Sequence, residues 1–91
     1  MNANMEEIEQ GIRSCLNHLI EDEIIALNTS LSIITAKDNL AECGLESIGF
    51  MHLLITLEDY YNVEIPDEYL LIERANSIGK LTHIIASVLT G

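Results

Sequence analysis

Basic residues, aromatic residues and proline are all scarce in this sequence. Four Lys and Arg stand against fifteen Asp and Glu, which gives a formal net charge of −11. This balance opposes binding to nucleic acid, because that affinity comes largely from cationic side chains that neutralise phosphates. It opposes binding to anionic membrane surfaces for the same reason. With three Tyr, one Phe and no Trp, the core must be built from aliphatic side chains.

Membrane spans, export signals and cysteine frameworks are also missing. No apolar run approaches the ~18 residues that a transmembrane helix needs, and the acidic N-terminal segment lacks the pattern of a signal peptide. We therefore expect a cytoplasmic protein without membrane insertion. Cys15 is expected in the core and Cys43 half-exposed, and no Cys or His pair has metal-ligand spacing. The length predicts one domain, residues 1–91, and we expect a monomer.

The hydrophobic periodicity predicts an all-α protein, a four-helix bundle with three main helices and a short third helix. The main helices are expected at residues 4–20, 47–61 and 77–89. The first carries an apolar stripe made of Met5, Ile8, Ile12, Leu16, Leu19 and Ile20. Ser77 is expected to cap the last one, since a serine hydroxyl can accept a hydrogen bond from the first helical turn.

Two segments connect these helices. Pro66 suits the first position of the short third helix, predicted at residues 66–73, because its missing N–H costs nothing there. Residues 21–46 are the hardest to assign. We expect an ordered loop with a short helical turn near residues 35–39, pinned by Leu27, Leu31, Ile34 and Leu40.

The helix predicted at residues 47–61 has two apolar arcs. One arc would face the core and holds Phe50, Leu53, Leu54, Leu57 and Tyr61. The opposite arc mixes apolar side chains with carboxylates and an imidazole, and it holds Ile48, Met51, His52, Ile55, Glu58 and Asp59. An exposed apolar stripe with a charged margin suggests a docking face for a partner protein. The alternative is that neighbouring helices bury both arcs.

Ser47 lies at the start of this helix, between the two arcs. Taken alone, such a serine is usually a plain helix cap. A nucleophilic Ser47 would need an adjacent base oriented by a third group, and neither His52, His18 nor His83 can be placed beside it. The sequence therefore argues against an enzyme. A helix N-terminus does favour anions, so Ser47 is a site where another enzyme could attach a phosphate-linked group.

Two motifs resemble those of acyl carrier proteins and the related peptidyl and D-alanyl carriers. The first, D-x-L-x-x-C-G-L-E-S-I, runs from Asp38 to Ile48, and the second, L-E-D-Y-Y-x-V-x-I-P-D-E, runs from Leu57 to Glu68. The resemblance implies a four-helix bundle with a short third helix. It also implies that Ser47 carries 4'-phosphopantetheine, added from coenzyme A by a Mg²⁺-dependent phosphopantetheinyl transferase. The thiol of that arm would hold an acyl or aminoacyl group as a thioester.

The resemblance further implies which proteins bind this chain. Besides the transferase, these would be an acyl- or aminoacyl-loading ligase and an acyltransferase, ketosynthase or condensation enzyme. In such carriers the second helix is the face that partner enzymes recognise. The corresponding docking residues here are Glu46, Ile48, Met51, His52, Ile55, Glu58 and Asp59.

Three departures from the carrier pattern refine this prediction. Glu46 stands where an Asp usually precedes the serine, and His52 stands where fatty-acid carriers commonly have an acid. The segment between the first helix and Ser47 is also longer than usual, with an unusually apolar stretch from Leu31 to Ile34. Together they favour a stand-alone carrier in a specialised pathway, such as polyketide, nonribosomal-peptide or aminoacyl transfer. The competing hypothesis is an acidic helical interaction module without a prosthetic group, in which Ser47 is only a cap. A small esterase-like enzyme that uses Ser47 is the third hypothesis.

Overall fold

The computed structural model describes residues 4–69 and 75–90, and these residues contain helices and turns but no β-strand. The three α-helices are α1 (Met5–Glu21), α2 (Ser47–Tyr61) and α3 (Ile78–Thr90). They confirm the predicted all-α class and the three main helices, with bounds that differ from the prediction by at most one residue. The hydrophobic core lies between them, where α1 packs against both α2 and α3.

Two short 3₁₀ helices complete the described structure. One covers Leu31–Ile33, inside the long connection between α1 and α2, and the other covers Asp67–Tyr69. The second lies within the region where the short third helix was predicted. Residues 70–73 of that predicted helix lie outside the described residues.

Helix α1 begins where its sequence supplies a cap. The Asn4 side-chain oxygen accepts hydrogen bonds from the backbone N–H groups of Glu6 (2.9 Å) and Glu7 (3.3 Å). The predicted stripe is buried at its centre, where Ile8, Ile12, Leu16 and Leu19 join the core, as does Cys15. Met5 was predicted in this stripe but is 37% exposed, because it is the first residue of the helix and lies at the end of the stripe.

Helix α1 ends in a Schellman closure. The backbone N–H of Glu23 donates to the Ile20 carbonyl (3.1 Å), and that of Ile24 donates to the Leu19 carbonyl (2.9 Å). Such a closure places one residue in the left-handed conformation, usually a glycine. Here Glu23 adopts it, with φ of 62°. The closure fixes the direction in which the chain leaves α1 toward the connection.

The connection between α1 and α2 is an ordered segment held by buried side chains, as predicted. Ile34 and Leu40 are buried, and Leu27 and Leu31 pack against the core while partly exposed. Ile25 and Leu45 are two further buried anchors that the sequence did not single out. Residues 35–39, where a short helical turn was predicted, form a single turn closed by the Asp38 N–H, which donates to the Thr35 carbonyl (3.2 Å). The Asp38 carboxylate accepts a hydrogen bond from the Thr35 N–H (2.7 Å) at its start.

The C-terminal end of α2 is anchored to α1. The Tyr61 hydroxyl donates a hydrogen bond to the Ile8 carbonyl (3.1 Å). Gly11 permits this approach, because a Cβ atom there would collide with the same hydroxyl. Burial raises the pKa of Tyr61 to about 12, with smaller contributions from Tyr60 and Cys15, so the phenol stays protonated and able to donate at neutral pH.

Helix α2 has one buried and one exposed face. Phe50, Leu53, Leu54 and Leu57 are buried on the core side, with Tyr61 half-buried beside them. On the opposite side Ile48 is 74%, Met51 41% and Ile55 58% exposed. The alternative in which neighbouring helices bury both arcs is therefore wrong for the described residues.

Candidate functional site

A tight turn precedes the start of α2. The backbone N–H of Asn28 donates to the Cys43 carbonyl (2.7 Å), and the Asn28 side-chain amide donates to the Glu42 carbonyl (3.1 Å). Gly44 has a φ of 104°, and a Cβ atom there would lie 3.0 Å from the Asn28 backbone nitrogen. Position 44 therefore requires glycine for both its backbone conformation and its space. Buried Leu45 then anchors the chain just before the helix.

Ser47 is the first helical residue of α2 and is exposed to solvent. The cap position belongs to Glu46, whose extended backbone (φ −85°, ψ 167°) precedes the helix and whose side chain makes no capping hydrogen bond. Among the described residues, none forms a hydrogen bond with the Ser47 hydroxyl. The first turn of α2 therefore leaves its backbone N–H groups without a side-chain acceptor, next to an accessible hydroxyl.

Ser77, at the start of α3, shows what a capping serine looks like in the same protein. Its side chain is buried, and its hydroxyl accepts a hydrogen bond from the Lys80 backbone N–H (3.1 Å). This confirms the predicted cap of the last helix. The same interpretation is wrong for Ser47, since Glu46 occupies the cap position there. The hypothesis of an interaction module without a prosthetic group treated Ser47 as a helix cap, and the structure does not support that role.

The surroundings of Ser47 fit a phosphodiester. An anion attached to the Ser47 oxygen would lie at the positive end of the α2 dipole, near backbone N–H groups that no side chain occupies. The neighbouring Cys43 offers no competing reactive thiolate. Burial raises the pKa of its thiol, and the carboxylates of Asp38 and Glu42 raise it further, so the thiol is protonated at neutral pH.

The residues predicted for partner docking lie on or beside the exposed face of α2. Glu46, Ile48, Met51, His52, Ile55 and Asp59 are exposed there. Glu58 differs, because it is half-buried and its carboxylate accepts a hydrogen bond from the Ile65 backbone N–H (2.8 Å). Of the two carboxylates within α2, Asp59 is exposed and Glu58 is not. The docking roles of these residues stay predictions.

A cleft of about 350 Å³ lies beside Ser47, between the start of α2 and the segment that follows α1. Its lining is formed by Glu23, Ile24, Ile25, Ala26, Gly44, Leu45, Glu46, Ile48 and Gly49. Gly49 lets the two walls approach, because a Cβ atom there would lie 3.0 Å from side-chain atoms of both Ile25 and Leu45. The sequence did not predict this cleft. Its only sequence signal is the apolar pair Ile24-Ile25 within an acidic segment.

Other kinds of site find no support in the part of the chain that is described. Residues 4–69 and 75–90 contain no group of three or more His, Cys, Asp or Glu side chains that could hold a metal ion. Within the same ranges, no helix combines the length and the apolar character that a membrane crossing requires.

Comparison with known proteins agrees with the geometry. A family model described as a phosphopantetheine attachment site matches residues 22–85, a range that includes Ser47, all of α2 and every residue of the cleft. No curated protein and no solved structure matches the sequence significantly.

Proposed function

Because this chain belongs to the phosphopantetheine attachment-site family, we propose that it is a carrier protein whose arm is attached to Ser47. Proteins of this family carry 4'-phosphopantetheine covalently, and such carrier domains are not enzymes. The resemblance of the motifs around Ser47 and the family match therefore agree on the cofactor. The attachment residue, the cargo and the partners are the parts that need experiment.

The observation that carries the choice of Ser47 is its position at the start of α2. Among the described serines, it is the one that opens an α-helix without capping it, and its exposed hydroxyl has no hydrogen-bond partner. Ser77 is buried in a capping role, and Ser30 and Ser32 share a hydrogen bond between their hydroxyls (2.8 Å). A transferase would find the Ser47 hydroxyl accessible and unengaged.

The chain contributes presentation and charge stabilisation rather than catalysis. The tight turn at Gly44 and the buried Leu45 fix the start of α2. The helix N-terminus stabilises the phosphodiester. When attached, the arm supplies a thiol that holds an acyl or aminoacyl group as a thioester. The base that activates Ser47 comes from the phosphopantetheinyl transferase, since the described residues place no hydrogen-bonded base beside the hydroxyl.

We propose further that the partners dock on the exposed face of α2 and act in a specialised cytoplasmic pathway. The partners would be a loading ligase and an acyltransferase, ketosynthase or condensation enzyme. The exposed apolar side chains of Ile48, Met51 and Ile55 support the docking face. His52 supports a partner set that differs from that of fatty-acid synthesis, because it stands where fatty-acid carriers commonly have an acid. Glu46 differs by one methylene from the usual Asp, which bears on how the transferase accepts the protein.

Intact mass after modification tests the attachment residue. The apo protein is incubated with coenzyme A, Mg²⁺ and a broad-specificity phosphopantetheinyl transferase. We expect the mass of one arm to be gained by the wild type and by Ser14→Ala, a control at an exposed serine within α1. Ser47→Ala should gain nothing. A wild type that stays unmodified, or a Ser47→Ala variant that is modified, would contradict the proposal.

A further inference from the structure

We propose that the cleft beside Ser47 binds the proximal half of the arm, with the two methyl groups of its pantoyl unit held between Ile24 and Ile48. The inference rests on the proposed attachment to Ser47 and goes beyond it. It assigns a binding site on the carrier itself for a defined part of the cofactor. It also gives a function to residues 23–26, which the attachment motif does not include.

Covalent geometry brings the pantoyl unit to this cleft. The carbon that bears the two methyl groups is four bonds from the serine oxygen, which limits their separation to about 5 Å. Both chain neighbours of Ser47, Glu46 and Ile48, line the cleft. Cavities of about 640, 420 and 400 Å³ elsewhere in the described part of the protein share no lining residue with this cleft. Among the described residues, the cleft is therefore the concave surface lined by the chain neighbours of Ser47.

The chemistry of the cleft matches the pantoyl unit. Ile24 is 46% exposed and Ile48 is 74% exposed, so each offers apolar surface that a pair of methyl groups can cover. Glu23 and Glu46 lie at the same cleft. Their carboxylates can accept hydrogen bonds from the hydroxyl and amide N–H groups that follow the dimethyl carbon along the arm. Apolar surface with acceptors beside it suits a ligand segment that carries both methyl groups and donors.

The wall that contains Ile24 is held in place by the backbone. The Schellman closure ties the Ile24 N–H to the Leu19 carbonyl, and the next residue, Ile25, is buried in the core. Gly49 of α2 then allows Ile25 to approach the helix closely. The cleft is thus present in the protein without an attached arm.

Methyl NMR of the loaded protein tests the inference. Holo protein is prepared with isoleucine labelled at its terminal methyl group, and complete loading is verified by intact mass. We expect nuclear Overhauser contacts from the methyl protons of the arm to Ile24 and Ile48. We expect none to Ile33, which is 67% exposed but lies outside this cleft. Full loading without contacts to Ile24 and Ile48 would overturn the cleft proposal while leaving the attachment to Ser47 intact.

A pair of variants separates binding in the cleft from proximity in sequence. Ile48 is adjacent to Ser47, so its contacts alone could arise from an arm that lies elsewhere. The shifts of the two arm methyl groups in the wild type should differ from those of free 4'-phosphopantetheine. Ile24→Ala should move them toward the free values, whereas the control Ile33→Ala should leave them unchanged. Wild-type shifts equal to the free values, or unchanged shifts in Ile24→Ala, would contradict the proposal. A protein that never gains the arm would refute both the cleft and the attachment.

Discussion

The two ends of α2 are built in opposite ways. At the C-terminal end, the Tyr61 hydroxyl bonds to the Ile8 carbonyl, and the Glu58 side chain bonds to the Ile65 backbone N–H. At the N-terminal end, the Glu46 side chain makes no capping bond, and the Ser47 hydroxyl is exposed. Side-chain hydrogen bonds therefore secure the helix at one end and leave the other available for covalent chemistry. Free energies of unfolding of paired variants test this division.

The largest effect is expected at Gly11, where α1 meets the C-terminal end of α2. A Cβ atom there would collide with the Tyr61 hydroxyl, so Gly11→Ala should overpack the contact and destabilise the protein by about 1–3 kcal/mol. In the absence of this contact, Ala in a helix interior would instead stabilise by up to about 1 kcal/mol. The free energy of unfolding in urea, compared with that of the wild type, distinguishes these two outcomes.

Tyr61→Phe provides the matched background for this measurement, since it removes the colliding oxygen. Gly11→Ala should cost markedly less in the Tyr61→Phe protein than in the wild type. An equal cost in both backgrounds would show that the hydroxyl does not limit the space at Gly11. The anchoring of α2 to α1 would then need another explanation.

The second-largest effect on the free energy of unfolding is expected at Glu58, and the neighbouring Asp59 provides its comparison. Glu58→Ala removes the acceptor of the Ile65 N–H, a half-buried bond, and should cost about 1–2 kcal/mol. Asp59→Ala, at an exposed side chain, should stay within about 0.5 kcal/mol of the wild type. Urea unfolding of the two variants compares residues of the same charge on the same helix. A similar decrease in the free energy of unfolding for both variants would contradict a special role for Glu58 at the C-terminal end of α2.

The helices themselves were predictable because their signals are local. Apolar residues at intervals of three and four define each buried stripe, and all three observed helices begin and end within one residue of their predicted bounds. The serine that caps α3 was predicted for the same reason, since a cap and its helix are adjacent in sequence. The turn at Gly44 is only partly local, because the space at Gly44 is limited by the backbone of Asn28, which is distant in sequence.

The structural features that the sequence could not predict depend on contacts between distant segments. The helical wheel placed Glu58 on the exposed arc, but the chain after α2 folds back, and the Ile65 N–H reaches its carboxylate. The cleft requires residues 23–26 to pack against the start of α2, about twenty positions further along the chain. The left-handed backbone of Glu23 could not be predicted either, because glutamate gives no local signal for that conformation.

The smallest effect is expected at Ser47 itself, and Ser77 provides its comparison. Ser77→Ala removes a buried cap of α3 and should cost about 1 kcal/mol. Ser47→Ala removes an exposed hydroxyl with no partner among the described residues and should change the free energy of unfolding by less than about 0.5 kcal/mol. Urea unfolding of the two apo variants measures both values.

If both Ser→Ala variants lost the same free energy of unfolding, Ser47 would also support its helix. The contrast between the two ends of α2 would then be contradicted. If only Ser77→Ala lowered the free energy of unfolding, the Ser47 hydroxyl would be dispensable for folding. Loss of modification in Ser47→Ala could then be assigned to the missing attachment oxygen rather than to a damaged fold. The small stability effect at Ser47 is therefore what makes the chemical test at the same residue decisive.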